Sequence, residues 1–467
     1  MSGFLSRFFN RGRSNSTDSI SSVSSISNGI MKPPSSPGIS AMELRKGSEM
    51  SRKIRIKSIV EDENFSLDDI SEILFDGNCF EHIPTLWRIA TGLISPGVDF
   101  NTQLRHKRNK YWRMVNDHFT TSIKRNSTVL TRIIEQIAKD MPRTQPNIPL
   151  FHCTINISNI DPELLEHPVL TNRPNDMGSE YNIIELVFTR ILYLWSIRHP
   201  ACGYVQGMDV LLCPFLYVYL QEYFDDIDTC LSLIVRDNGV YCINTPISLD
   251  DSCNQPLLSM HQFLDYLFDI ESDIYHSYTT FIDPIQDFFT EGYPGIKKQM
   301  TFIEHYLEII DPELHNHLFN NLGLDPLMYS FRWFNCLLAR EFNIKMIVEL
   351  WGCYFSRLIS PQFKDTTKWL NLHLFVIITI ILSFKKLFCE ENLLENGNRR
   401  FPHHVTLSFD ADEVADKVPN ANLMKSNSIE FAVSCFQTLP DLLKGIDIND
   451  ISTLISQAYV FETTHIE

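Results

Sequence analysis

The chain has 467 residues, 44% of them hydrophobic, enough to build two or three domain-sized units or one large helical domain with lobes. The 40 Lys and Arg against 57 Asp and Glu give a net charge of −17, which argues against nucleic acid as a partner of the whole chain. The 11 cysteines are scattered without a Cys-x-x-Cys pair, a usage that fits a reducing, cytosolic compartment.

Charge is uneven along the chain. Met1 to Lys57 carries ten Lys or Arg against three Asp or Glu, so the remainder lies near −24. This Ser-rich stretch has almost no apolar periodicity and is expected to be a disordered arm over residues 1–60. Ser36, which precedes Pro37, is a phosphorylation candidate. Phe4, Leu5, Phe8 and Phe9 with Arg7, Arg11 and Arg13 have the composition of a short interfacial helix, a weak membrane contact on anionic lipid. Nothing at the N-terminus has the apolar run of a secretory signal.

Residues 61–467 read as the folded body, with an N-terminal lobe over about 65–265 and a C-terminal lobe over about 266–467. Leu67, Ile70, Ile73 and Leu74 recur at helical spacing behind Asp68 and Asp69, which suit a helix N-terminus. Leu86, Trp87, Ile89, Ala90 and Leu93 give a second helix that ends near Gly92–Pro96. Leu104 to Trp112 is basic and polar and leads toward a helix over Val129–Lys139. Pro142 stops regular structure after it, leaving Asp140 and Arg143 in a turn. Taken alone, Arg143 is equally well read as a surface residue tied to Asp140. Residues 147–180, rich in Pro, Asn and Asp, read as an insertion loop.

The stretch Ile183–Leu220 holds two apolar runs around a polar break. Ile184, Val187, Phe188, Ile191, Leu194 and Trp195 predict a core helix that Pro200 and Gly203 interrupt. The second run, Val210–Leu220, follows almost at once, placing Tyr204, Gln206, Gly207 and Met208 at its entry. An uncharged amide at a helix start, beside a glycine that lets another backbone approach, can hold a water or a partner's backbone. By itself Gln206 reads more simply as a residue that ties down the helix start.

Asp225–Gln255 is polar and weakly patterned. Helical spacing returns over Met260–Phe268 and Ile296–Ile310. Phe331, Phe334, Leu337 and Leu338, then Ile347, Leu350, Trp351 and Tyr354, form aromatic-rich faces that read as core. Leu370–Phe384 is strongly apolar but shorter than a membrane span and contains Asn371 and His373, so a buried core helix is expected. Residues 394–428 read as a second, disordered insertion, in which adjacent His403 and His404 have poor metal-ligand spacing. Helices are expected again over Ser428–Leu439 and Asn449–Phe461, the latter with Asn449 as N-cap. Few strand signals exist, so the expected class is all-α.

The sequence lacks the nucleotide-, metal- and serine-hydrolase signatures Gly-x4-Gly-Lys-Ser/Thr, Gly-x-Gly-x-x-Gly, His-Glu-x-x-His and Gly-x-Ser-x-Gly. A loop arginine and, about sixty residues later, a helix-start glutamine remain. GTP hydrolysis needs positive charge on the γ-phosphate and an oriented water, and a partner protein can supply both in trans.

Ile137-x-x-Asp140-x-x-Arg143 and Tyr204-Val-Gln206-Gly207-Met208 resemble the two signature motifs of the TBC-domain family of Rab GTPase-activating proteins. Ile197-Arg-His-Pro-Ala is similar to the Golgi-associated branch. Trp87 before Gly92 resembles the first family motif, and Phe331-Arg-Trp-Phe, Arg340-Glu-Phe and Leu350-Trp351 resemble the C-terminal lobe. The resemblance runs from about Asp69 to the C-terminus.

It implies an all-α, two-lobed fold whose groove takes the switch regions of a Rab-family small GTPase in its GTP form. Arg143 would be the arginine finger and Gln206 the glutamine finger. Asp140 would orient the loop bearing Arg143; Tyr204 and Gly207 would shape the turn that aims Gln206; Trp87 would support them. No cofactor or metal belongs to the chain itself, because GTP and Mg²⁺ arrive with the partner. The implied role is activation of a partner's hydrolysis in vesicle trafficking, not a self-contained enzyme, in the cytoplasm and peripherally on Golgi or endosomal membranes. The alternative is a scaffold that binds a GTPase or adaptor without accelerating hydrolysis; a tether acting through the basic arm is a third reading. Three departures stand out: Ile83 where the family has an arginine four residues before the tryptophan, Gly352 where it has an acid after Leu-Trp, and a longer loop after Arg143.

Overall fold

The computed structural model describes residues 53–77, 80–174, 178–224, 229, 231–236, 239–242, 256–360, 367–389, 407–409, 411–419 and 428–466. The N-terminal arm up to residue 52 and its proposed lipid-binding and phosphorylation sites lie outside them, as do His403 and His404.

The fold is helical. The first described turn is already ordered: residues 53–60 form a helix whose Ile56 and Val60, four apart, are buried, so the body begins before the expected boundary at 60. Helix α1 (Leu67–Asp76) buries Ile70 and Leu74 and carries Asp68 and Asp69 in its first turn, as the pattern predicts. Helix α2 (Ile83–Ala90) has Pro84 in its first turn and buries Trp87. The basic stretch before Trp112 is itself helix α3 (Phe100–Met114), capped by Asp99, and it continues through a π-turn over Val115–Thr120. Helix α4 (Thr128–Asp140) is capped by Ser127 and ends in a 3₁₀ turn, Met141–Arg143.

Within 147–180 the described residues form more regular structure than a plain insertion loop. Strand β1 (Thr154–Asn156) pairs antiparallel with β2 (Glu180–Asn182), Ile155 facing Tyr181, among short helical turns. Asn182 then caps helix α5 (Ile183–Arg198) by accepting from the amides of Ile184 and Glu185. The second apolar run enters through a 3₁₀ turn, Val210–Leu212, into helix α6 (Cys213–Leu220). Part of the weakly patterned stretch after it, β3 (Leu233–Arg236) and β4 (Gly239–Cys242), forms a small antiparallel sheet with β5 (Leu258–Ser259), which lies just beyond that stretch.

Helix α7 (Met260–Ile282) is more than twice as long as its sequence pattern suggests and runs unbroken past residues 265 and 266, where the two lobes were expected to meet. A Ser259–Gln262 capping box starts it. Its second half buries Glu271 and Asp273, charges that break an apolar periodicity. Arg190 of α5 holds Glu271 through two bonds of 2.6 Å, and Tyr111 of α3 donates to the same carboxylate at 2.6 Å. Asp273 accepts from Arg88 of α2 at 2.9 Å and from Arg108 of α3 at 2.7 Å. These ion pairs join α2, α3 and α5 to α7, and removing one partner strands a buried charge at a cost of about 3–5 kcal/mol.

Helix α8 (Pro294–Ile310) leads to the aromatic-rich segment, which is not one helix. A short helix α9 (Phe331–Asn335) stops at Leu337 and Leu338, both left-handed with φ of 46° and 62°, before α10 (Ile344–Ile359) begins on the Asn343 cap. Helix α11 (Trp369–Leu382) is the expected core helix, buried along nearly its whole length. No helix among the described residues is long and apolar enough to cross a membrane. The described part of the second insertion includes a helix, Ala411–Lys417, with Val414 and Val418 buried. Helix α12 (Ile429–Gln437) is capped by Ser428. The last helix, α13 (Ile448–His465), is capped by Asp447, not Asn449: the Asp447 carboxylate accepts from the Asn449 and Asp450 amides. Its expected face, Ile451, Leu454, Ile455 and Ala458, is buried.

The core centres on Trp87. Its ring lies 4.7 Å from Phe355, 5.3 Å from Phe215 and 6.3 Å from Trp351, which joins α2 to α6 and α10. Two of the departures from family pattern have local reasons. Ile83 is buried on apolar neighbours, and the buried ion pair of α2 is made by Arg88. Gly352 packs against α1, where an added Cβ would already lie in contact, at 3.4 Å, with the Leu74 carbonyl.

Candidate functional site

Arg143 and Gln206, 63 residues apart in sequence, line one small cleft together with Asp140, Thr144, Gly207, Asp209 and Arg340. Arg143 ends the 3₁₀ turn fixed by Pro142, and its side chain is 58% exposed. Its Nη2 donates to Asp140 Oδ1 at 2.5 Å. Asp140, nearly buried at the end of α4, accepts on its other oxygen from Tyr204 Oη at 2.7 Å. One carboxylate therefore joins the arginine loop to the glutamine loop.

Gln206 does not start a helix. It sits on the turn before the 3₁₀ entry to α6, because Gly203 (φ +64°) and Gly207 (φ +101°) bend the chain sharply there. Asp209 organises that turn: it accepts from the Gly207 amide at 3.2 Å, from Tyr204 Oη at 3.3 Å and from the Thr144 hydroxyl. The Gln206 carbonyl accepts from Asn335 Nδ2 of α9 at 2.9 Å. With its backbone held from both sides, the carboxamide is exposed to solvent. A Cβ at Gly207 would stand 2.8 Å from Asn335 Nδ2 and 3.0 Å from Cys336 Sγ, so only glycine lets α9 approach. Burial, and then Asp209, push the Tyr204 phenol well above its ordinary range, so it stays a proton donor to the two acids.

Of the sequence-predicted site residues, Arg143, Gln206, Asp140 and Gly207 line the cleft, and Tyr204 joins its two loops from beneath. Trp87 does not reach it; it is fully buried in the core. Four participants escaped the sequence reading: Thr144, Asp209, Asn335 and Arg340. Asp209 had a signal, an acid at the head of an otherwise apolar run. Arg340 reaches the cleft because the left-handed pair Leu337–Leu338 turns the chain back, a turn held by the Trp351 Nε1 bond to the Leu337 carbonyl at 3.2 Å. The cleft's volume, about 10 Å³, is far below that of a small-ligand pocket. Among the described residues no group of three or more His, Cys, Asp or Glu could hold a metal.

The Rab-GTPase-TBC domain model matches residues 156–388, a span that includes Gln206, Asn335 and Arg340 and begins shortly after Arg143. The chain belongs to the TBC-domain family of Rab GTPase-activating proteins. This TBC protein is 27% identical over 344 residues to human TBC1 domain family member 22B, covering 73% of the chain and 55% of that relative. It is 28% identical over 296 residues to the GTPase-activating protein GYP1 of Saccharomyces cerevisiae, covering 62% of the chain and 37% of the yeast protein. The chain thus spans about half the length of these relatives or less. The crystal structure of the Ypt/Rab-GAP domain of Gyp1p superposes with a TM-score of 0.59 at 22% identity, covering 89% of the chain and 99% of that domain, which shows the shared fold.

Proposed function

We propose that this TBC protein accelerates GTP hydrolysis on a Rab-family small GTPase by supplying Arg143 and Gln206 in trans. The observation that carries this reading is the cleft itself: an exposed guanidinium and an exposed carboxamide from distant parts of the chain open side by side on loops tied together by Asp140, Tyr204 and Asp209. Their backbones are fixed and their tips face solvent, the Arg143 guanidinium resting on Asp140, so that both are accessible to someone else's nucleotide. Arg143 would neutralise charge on the γ-phosphoryl oxygens as they develop it, and Gln206 would orient the attacking water. GTP and Mg²⁺ would be the partner's, and the GTP-bound form would be the one captured. The activity would be exerted peripherally on Golgi or endosomal membranes, in control of vesicle traffic, a reading supported by the likeness of Ile197-Arg-His-Pro-Ala to the Golgi-associated branch.

The test is single-turnover hydrolysis by a panel of GTP-loaded Rab proteins, with and without the full chain. Acceleration of at least one Rab is expected, lost in Arg143→Ala and Gln206→Ala. Binding without acceleration across the whole panel would replace this reading with that of a GTPase-binding scaffold.

A further inference from the structure

A second cavity, of about 540 Å³, opens where α3 crosses α7 near the end of α5. It shares no residue with the cleft that holds Arg143 and Gln206. His106, Lys107 and Lys110 of α3, Arg198 at the end of α5 and His276 of α7 line it, and no carboxylate does. We infer that this cavity binds a small polyphosphorylated anion of the inositol-phosphate class, free or as the headgroup of a lipid.

Three observations support the inference. The first is charge. Helix α3 carries five Lys and Arg and no Asp or Glu, inside a body whose net charge is near −24. Lys107 and Lys110, three apart, present their ammonium groups on one side of the helix, at the cavity. The second is that the acids nearby are already used. Asp273 accepts from Arg88 and Arg108, and Asp269 from Arg108 at 2.6 Å, and neither acid lines the cavity. Among the described residues Lys110 makes no ion pair, and Lys107 makes only a 3.5 Å contact with the Gly92 carbonyl. Arg198 donates one nitrogen to Tyr275 Oη at 2.7 Å, which aims the guanidinium and leaves its other donors available. The third is size: the volume is that of a small-ligand pocket, large enough for a phosphorylated ring and too large to be a packing defect. The imidazole of His276 lines the same cavity. Burial first, and then Lys107 and Lys110, hold its imidazole down to about 4, against the raising effect of its bond with the Lys107 carbonyl and of Asp273.

The experiment uses the full chain and needs no GTPase, so it stands apart from the proposed hydrolysis. Inositol hexakisphosphate is titrated calorimetrically into wild type, Lys107→Glu/Lys110→Glu and Arg105→Glu/Arg113→Glu. The last double variant removes the same charge from α3 at positions outside the cavity. Expected are saturable one-site binding by wild type, a rise in Kd of roughly tenfold or more for the cavity variant, and a change within about threefold for the control. Flotation with phosphatidylcholine vesicles containing a phosphatidylinositol bisphosphate then identifies the source. Wild type that floats and is displaced by the soluble phosphate reads a lipid headgroup; wild type that binds only the soluble compound reads a free ligand. No saturable binding, or equal losses in the two double variants, would overturn the inference, the second by showing that a diffuse basic face is responsible.

Discussion

Asp140 holds Arg143 and Tyr204 at once, one carboxylate oxygen 2.5 Å from the guanidinium and the other 2.7 Å from the phenol. The guanidinium is therefore folded back on its own loop. With Arg143 more than half exposed, this ion pair is worth about 0–1 kcal/mol. An arginine finger contributes about 4–7 kcal/mol to the barrier of a partner's GTP hydrolysis, so the pair gives way easily when a phosphate presents itself. Arg143→Ala is expected to lose about 10³–10⁵ of stimulated rate with an unchanged melting temperature. Arg143→Lys should fail as well, because an ammonium has no planar fork. Single-turnover assays on a responsive Rab check both, and wild-type stimulation by Arg143→Ala would remove the finger from this position.

Tyr204→Phe tests whether the two loops need their tie. The substitution keeps the ring and removes the hydroxyl that bonds the carboxylates of both Asp140 and Asp209. A buried acceptor left unpaired costs about 1–3 kcal/mol, so the melting temperature should fall modestly. In the proposed mechanism Tyr204 acts through Arg143 and Gln206, so the maximal stimulated rate should drop by roughly tenfold with little change in the half-saturating concentration. A change confined to half-saturation would place Tyr204 in binding instead.

Gly207→Ala should be far worse than an alanine in an open turn. Its φ of +101° disfavours any side chain, and the new methyl would meet Asn335 and Cys336. Relieving that contact pushes α9 away and breaks the Asn335 hold on the Gln206 carbonyl. A stability loss of about 1–3 kcal/mol and near-complete loss of stimulation are expected. Wild-type stimulation by Gly207→Ala would show that the turn has slack. Gly92→Ala, another positive-φ glycine but one with nothing within 4 Å, should keep its activity and serves as the control.

Arg340 brings a second exposed cation to the cleft, from the turn after α9. It has no hydrogen bond or ion pair among the described residues, so its charge faces whatever docks there. Arg340→Glu should raise the half-saturating concentration by about tenfold, through slower association, with a smaller effect on maximal rate. Raising salt should narrow the gap between variant and wild type.

How much of this was legible in the sequence follows from what each residue's partners are. Helices with one apolar face, such as α1 and α13, declared themselves by spacing, α5 by an apolar run that is buried on nearly all sides, and the positions of Arg143 and Gln206 by motif. Helix α7 hid its second half because Glu271 and Asp273 look like surface residues until Arg190, Arg88 and Arg108 arrive from other helices. The break at Leu337 and Leu338 was invisible because leucine rarely adopts positive φ; only the surrounding fold imposes it. Arg340 was missed for the same reason, since its place at the cleft depends on that turn, and Asn335 because its bond to the Gln206 carbonyl spans 129 residues of sequence. Asn182 and Asp447, as caps, were local signals available to a closer reading.

Acid should weaken the fold through its buried imidazoles. His373 on α11 is fully buried with Nδ1 2.8 Å from Tyr354 Oη, and burial holds its pKa down to about 3. The folded value lies below the unfolded one, near 6.5, so the unfolded chain takes up the proton first. The stabilising contribution is complete above about pH 6.5 and is lost as pH falls toward about 3. Between about pH 6.5 and pH 5 the loss from this one group is about 2 kcal/mol. His276, held down to about 4, acts in the same direction. Glu341 and Glu462, raised by burial despite their arginine partners, act oppositely at lower pH because the folded chain protonates them first. His373→Gln keeps an acceptor for the Tyr354 hydroxyl but cannot titrate. It should be less stable than wild type near neutrality and show a shallower decline in urea midpoint as pH is lowered. Parallel curves for the two proteins would mean that His373 stays neutral in both states and contributes nothing to the acid response.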